Sequence, residues 1–354
     1  MQYVVSTPTD AATARAELLK LWRRNFPREW DGWYDWLIDG NPFGSVSHWL
    51  VSTASGEVVG STGLMPCEMQ LGGRTVSAAQ AIHINVNREH RSVLPALQLQ
   101  RALTQSVSES QVPFVLGVTE TAVAVMQRAG YRLVGNVERW VQPLRTEANL
   151  RRKLHREWLV RPLAAIADRA LQLRAAATSR RLPCGWRAEF GEDFDARFDQ
   201  LWQRSVSREK ILLARHRAFL TWRFRQRPRS ESRWLGLIDS QGDLRAYLVF
   251  DNERCQKHDV PYQAIHDVWG ADERAMEIVL AEFVRWARST PAAFVSMLFF
   301  GDTRVSNALS RTGFLLRPRD EVVLIYAHPE LPEADRLRLS DREQWHLTEA
   351  EMHL

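Results

Sequence analysis

Cysteine is scarce in these 354 residues: Cys67, Cys184 and Cys255 stand far apart and odd in number. They form neither a metal-ligand spacing nor a disulfide framework, and a reducing compartment suits them. Long apolar runs are missing too. None approaches the roughly 20 residues that cross a bilayer. The opening MQYVVSTPTDAATARAELL has no basic start and no long apolar stretch, so a secretory leader is not expected. The protein is therefore expected in the cytoplasm. Evenly spread positive charge is also lacking. Residues 145–181 hold ten basic and three acidic residues, a net +7 against +5 for the whole chain, so the remainder carries −2. The basicity belongs to one connector, which excludes a general nucleic-acid surface.

The length exceeds one ordinary core and implies two domains. A helix is expected over about residues 10–25, with Leu18, Leu19, Leu21 and Trp22 inward and Asp10 as cap. The aromatic group Trp30, Trp33, Tyr34 and Trp36 follows, serving as core or as a cleft lining. Strands are read at His48–Thr53 and Glu57–Met65, then a hairpin from Cys67–Leu71 across Gly72-Gly73. The stretch Ile82–Thr104 reads strand, basic loop, helix. Strict alternation would put Ile82, Ile84 and Val86 on one face and His83 and Asn85 on the other. Ser92 can cap the helix, and Pro95 falls in its first turn. A strand feeding a helix N-terminus beside arginines is an anion site in the making. A short strand Pro113–Val118, a helix Thr121–Ala129 stopped by Gly130, and closing strands within Tyr131–Leu144 complete the half.

The second half repeats these landmarks. Trp36 and Pro42 recur as Trp222 and Pro228 at an offset of 186, Trp49 as Trp234 at 185, Gly56 as Gly242 at 186, and Gly130-Tyr131 as Gly313-Phe314 at 183. We read a duplication: residues 1–144, a basic helical connector 145–185, residues 186–328, and an extension 329–354 whose job is not legible. In the connector, Leu159, Leu163, Ile166 and Ala170 share one helical face. Such a basic amphipathic helix is a solvated strap, or a contact for an acidic acyl carrier protein or an anionic membrane surface, which would make the protein peripheral to the inner face of the membrane.

Each half resembles the GNAT superfamily of acyl-CoA-dependent N-acyltransferases. The parts that carry the resemblance are the strand Ala78–Asn87, the loop Glu89–Leu94, the helix from Pro95, the strand and helix after it, and the Gly-aromatic stop. The implied fold is a mixed α/β sheet twice over, two tandem GNAT-like domains. The repeated Trp-x5-Pro element further resembles bacterial tandem-GNAT proteins, some of them associated with surface polysaccharide production. The family's loop pattern, Arg/Gln-x-x-Gly-x-Gly/Ala, maps onto Arg91-Ser92-Val93-Leu94-Pro95-Ala96. Arg91 and Ala96 fit; Leu94 replaces a glycine that would let the backbone approach a pyrophosphate. In the second half the corresponding turn, Gly270-Ala271-Asp272-Glu273, is acidic and would repel phosphate. At most the first half is expected to bind a thioester.

The resemblance implies acetyl-CoA or a longer acyl-CoA (or an acyl carrier protein) as donor, held by Arg91, Ser92, Val93, Leu94 and Ala96. It implies a small-molecule amine as acceptor, no metal, and an oxyanion donor at the backbone of Val86 or Asn87. The candidate bases are His83 and Glu120, each with a structural alternative as strand hydrogen-bonder or first-turn acid. Asn85 would orient substrate or pack as a satisfied polar group. The family's general-acid tyrosine position holds Met126, and in the second half Leu309; neither can donate a proton. His266 and Asp267, adjacent on the second half's strand, are expected on opposite faces. Cys67 is read as a buried hydrophobe. The rival expectation is a non-catalytic GNAT-like binding or scaffolding protein with a decayed phosphate loop, which Leu94, Pro95 and Met126 favour.

Overall fold

The computed structural model describes residues 2–8, 10–26, 32–147, 150–151, 157–178, 181–205 and 210–352. Trp30 lies outside them. The first half supplies β1 (Tyr3–Ser6), β2 (Ser47–Thr53), β3 (Val58–Leu71), β4 (Arg74–Val86), β5 (Phe114–Thr119), β6 (Arg132–Asn136) and β7 (Glu138–Pro143). The second supplies β8 (Arg187–Gly191), β9 (Leu212–Leu213), β10 (Arg233–Ile238), β11 (Leu244–Cys255), β12 (Val260–Gly270), β13 (Phe294–Gly301), β14 (Leu315–Arg317) and β15 (Val322–Ala327), and the extension adds β16 (His346–Thr348). They form two mixed sheets. One runs β1-β2-β3-β4-β5-β15-β6 with β9 beside β3; the other runs β14-β7-β13-β12-β11-β10-β8 with β16 beside β13.

The halves exchange their last strands. β15 is inserted between β5 and β6, and β7 lies between β13 and β14. Cuts at residues 144 and 328 therefore separate the sequence but not the sheets. Each sheet carries its own helix-covered core. Helices α2 (Val93–Ser108) and α3 (Val123–Arg128) cover the first, and Glu273–Ala287 and Thr303–Arg311 the second. The largest cluster joins the two sheets with helix α1 (Ala11–Asn25) and the C-terminal extension, from Trp22 and Met65 to Trp222, Tyr247 and Trp345.

The landmark pairs adopt matching conformations. Gly56 and Gly242 turn at φ +86° and +85°, and Gly130 and Gly313 end their helices at +102° and +95°. Trp36 and Trp222 stack at 5.2 Å. Trp36 Nε1 donates to the Trp222 carbonyl (2.7 Å) and Trp222 Nε1 to the Trp36 carbonyl (2.8 Å), so the two landmarks meet reciprocally at the join. Trp36 and Tyr34 are buried and Trp33 packs on the same cluster, so this group is core and not a cleft lining.

α1 starts as expected, with Asp10 accepting from the Thr13 N–H. Two expectations change. The strands read as Glu57–Met65 and Cys67–Leu71 are one, because Pro66 sits where β3 no longer needs an N–H on its β2 side; β2 stops pairing at Leu64. The connector helix α4 (Glu157–Thr178) is turned the other way from the sequence reading: Val160 and Ala164 are buried, while Leu163 and Ile166 face water and Ala170 is exposed. The side chain of Leu159 lies outside the described set, as do Arg152, Lys153 and Arg156. Among the described residues, no helix is long and apolar enough to cross a membrane.

Candidate functional site

β4 and β5 run parallel but pair only at Ala79↔Val115 and Gln80↔Leu116. Beyond Gln80 they part, leaving one edge of β4 without a strand partner among the described residues. A bulge sharpens the opening. Ser61 pairs with Asn85 and Gly63 with Ile82, so His83 and Ile84 together oppose Thr62. His83 takes the left-handed conformation, φ +50°. The bulge breaks the expected alternation. Ile82 joins the central cluster, while Ile84 and Val86 pack toward α2. The His83 ring lies edge-on to Trp22 at 4.5 Å.

A cavity of about 230 Å³ occupies the gap. Its walls are Gln80–Ile84 of β4, Leu116, Val118 and Thr119 of β5, Thr121, Ala122 and Met126 around α3, and Phe26 from the end of α1. The extension supplies one more wall, Glu351. Gln80 Nε2 donates to the Glu351 carbonyl at 3.3 Å. The Glu351 carboxylate caps its own turn, accepting from the Thr348 N–H at 2.8 Å, and faces Arg215 Nη2 at 2.7 Å. Burial pushes its pKa up, against the pull of Arg215. Arg215 is itself fully buried and donates Nε to Asp267 at 3.1 Å. Asp267 also accepts from Thr348 Oγ1 (2.8 Å) and Tyr247 OH (3.0 Å). Burial lowers the Arg215 pKa, but Asp267 and Glu351 outweigh it and hold the guanidinium charged. Arg223 grips the same turn by its backbone, donating to the carbonyls of Glu349, Ala350 and Met352 at 3.0 Å each.

The second sheet parts in the same way, after Ile265↔Met297, but its gap is closed. β16 pairs with β13 from Phe299↔Thr348 to Gly301↔His346. Gly301 makes this possible: a Cβ there would sit 2.0 Å from the Trp345 carbonyl oxygen. The helix that follows β12 already has an anion at its N-terminus, since Asp272 accepts from the Ala275 N–H at 2.8 Å. A bulge at His266 also corrects the expectation for that strand. Val249 pairs with Asp267 and Phe250 with Ile265, so His266 and Asp267 both reach the C-terminal extension. His266 lies 3.2 Å from Asp251 and from Glu349. Burial lowers its pKa, but Glu349 and Asp251 outweigh that and raise it to about 10.

The expected site residues separate. His83 lines the cavity. Glu120 is exposed at its rim, between the lining residues Thr119 and Thr121. Asn85 is a packed polar group: it donates to Ser61 Oγ (2.7 Å) and accepts from Asn25 Nδ2 (3.2 Å). Val86 pairs with Gly60, and the Asn87 N–H is spent on the Val59 carbonyl at 2.7 Å. The Asn87 N–H is thus committed to β3, and the edge of β4 that faces the gap begins at Ala81. At the loop, Arg91 Nε holds the Val86 carbonyl at 3.1 Å. Ser92 occupies the cap position but makes no side-chain cap bond. The first turn of α2 is thus uncapped by side chains, and the exposed Val93 and Leu94 side chains point their bulk toward water, while Ala96 packs inward. Met126 lines the cavity where a family acid would stand. Cys67 is buried, and burial pushes its thiol pKa up. Among the described residues no group of three His, Cys, Asp or Glu side chains is placed to hold a metal. Sequence reasoning missed Gln80, Arg215 and Glu351. The Thr348-x-x-Glu351 capping pattern was the one legible signal for the last.

No protein-family model matches the sequence, and no curated protein matches it. Solved structures do match in fold. One is a conserved protein of unknown function from Enterococcus faecalis, a probable N-acyltransferase: TM-score 0.66, 9% identity, 94% of this chain and 74% of that one. Another is a GCN5-related N-acetyltransferase from Anabaena variabilis: TM-score 0.61, 15% identity, 92% and 73%. A third is Saccharomyces cerevisiae N-myristoyltransferase with bound myristoyl-CoA: TM-score 0.54, 12% identity, 92% and 79%. The fold is that of two GNAT-like domains in one chain.

Proposed function

We propose that the first domain transfers an acyl group from a CoA thioester, or from the equivalent arm of an acyl carrier protein, to a small-molecule amine. The observation that carries this reading is the cavity between the parted β4 and β5, where an unpaired strand edge borders a space of about 230 Å³. An extended thioester arm can pair with such an edge as a missing strand would. N–H groups of the Ala81–Ile84 edge are the donors on hand for the oxyanion. The uncapped first turn of α2, beside Arg91, suits the donor's phosphates. The amine nitrogen attacks the thioester carbonyl, the C–N bond forms, and the C–S bond breaks. The amine's proton passes to a base, and the sulfur leaves as thiolate and takes up a proton from that base or from solvent. Two groups at the cavity can take the amine's proton, His83 on its wall and Glu120 at its rim. The second domain, its gap filled by β16, serves as a wall and as the anchor of Glu351.

The test is thermal stability of the whole chain with acetyl-CoA and longer acyl-CoAs. At 100 times Kd a ligand adds about 2.7 kcal/mol. Ala122→Trp, which fills the cavity, should abolish the shift. Thiol release with a panel of amines then reads turnover. His83→Gln or Glu120→Gln, whichever removes the base, should lower kcat by roughly 10²–10⁴-fold and erase the corresponding limb of the pH profile. No shift with any thioester overturns the proposal.

A further inference from the structure

The connector helix α4 presents to water the very face its sequence marks as apolar. Among its described side chains the inward ones are small: Val160 and Ala164 are buried, and Asp168 ties the helix down by accepting from the Thr146 N–H (2.8 Å) and hydroxyl (2.9 Å). Outward stand Trp158 at 71% exposure, Ile166 at 68% and Leu163 at 40%. Trp158, Pro162 and Ile166 follow at four-residue steps, with Leu163 alongside, so they share one stripe. Arg161 and Arg169, both exposed, border it. Three large apolar side chains on one stripe of a helix exceed the scattered exposure usual for a surface.

We propose that this stripe seats the protein on an anionic lipid surface. The charge fits: residues 145–181 carry +7, while the rest of the chain is net acidic. Arginines beside the stripe draw the helix to acidic headgroups, and the apolar side chains then enter the headgroup boundary. An outward tryptophan belongs at that depth, where its ring is half in hydrocarbon. Tryptophan flanked by arginines is the pairing a headgroup boundary takes up, which favours a bilayer over an acidic protein. The proposal does not depend on the acyl-transfer reading.

The test is co-sedimentation of the whole chain with vesicles of phosphatidylcholine alone and of phosphatidylcholine with phosphatidylserine. Binding is expected on the anionic vesicles at low salt and should be about tenfold or more weaker on the neutral ones. Trp158→Ser/Leu163→Ser/Ile166→Ser should cut binding by about tenfold or more with an unchanged Tm, because those side chains already face water. Arg161→Glu/Arg169→Glu should erase the preference for anionic vesicles. Failure to bind anionic vesicles, equal binding by the triple variant, or capture by an acidic carrier protein in place of vesicles overturns the proposal. No acyl-CoA enters the assay, so its failure is distinct from failure of the thioester test.

Discussion

Arg215→Met isolates the clamp on the extension. Methionine keeps most of the side-chain stem and its packing beside Trp269, whose ring lies 5.8 Å from the guanidinium carbon. What goes is the charge. Asp267 retains Tyr247 OH at 3.0 Å and Thr348 Oγ1 at 2.8 Å, and Glu351 retains the Thr348 N–H at 2.8 Å. Two buried carboxylates are then left without the cation that stood 3.1 Å from one and 2.7 Å from the other. Removing one partner of a buried ion pair costs about 3–5 kcal/mol. At roughly 2 °C per kcal/mol for a chain of this size, Tm should fall by about 6–10 °C near pH 7. The pH dependence gives the sharper check. Burial already raises the Glu351 pKa against the pull of Arg215; without that guanidinium it rises further, so the folded variant binds more protons than its unfolded chain. Its deficit must therefore shrink on acidification, as a carboxyl protonates and the stranded charge disappears. Arg215→Met/Glu351→Gln should lose less than the two single variants together. Calorimetry from neutral to mildly acidic pH reads all three. A deficit under about 1 kcal/mol, or one that does not change with pH, refutes the reasoning.

The join between the domains should answer to single atoms: Trp36→Phe and Trp222→Phe each strand one buried carbonyl and should each cost about 1–3 kcal/mol by calorimetry, and silence of either shows that the reciprocal bond is not made. Gly301→Ala places a Cβ against backbone, not against a yielding side chain, so β16 must move; raised hydrogen exchange at Leu347 and Thr348 is expected, and unchanged protection would count against the closed gap. Stability should fall on both sides of about pH 6.5, the ordinary histidine value. His266, raised to about 10 by Glu349 and Asp251 against its burial, contributes stability that is complete below 6.5 and is lost as pH climbs through 10; His266→Gln should flatten that limb of a Tm–pH curve. His48, pulled by burial to about 4, acts with the opposite sign, costing stability as pH falls from 6.5 toward 4, and His48→Gln should flatten the acid limb.

Much of this molecule is local and was legible as such. Asp10 caps α1, Gly56 and Gly242 turn their hairpins, and Gly130 and Gly313 stop their helices, because caps and left-handed turns need only the residue at hand. The two-domain plan was legible because matching landmarks recur at nearly one spacing. The cavity was half legible: the strand and helix that frame it were placed, and His83 was found on its wall. Which of its two readings Asn85 would take was not legible, because a one-residue bulge, which has no sequence signature of its own, reassigns every side chain beyond it. Which way α4 turns is a matter of what lies beneath it. Its amphipathic pattern fixed an apolar face but not whether that face met the protein or the solvent, and the small residues Val160 and Ala164 won the inner side. The sequence by itself thus determined the elements, their order and the doubling. Tertiary structure alone decided that β7 and β15 change places, that β16 closes the second gap, and that Glu351 reaches a cavity wall 271 positions from Gln80. Those outcomes rest on strand edges and buried charges finding partners far along the chain, and pairing at that distance leaves no periodic trace in the residues between.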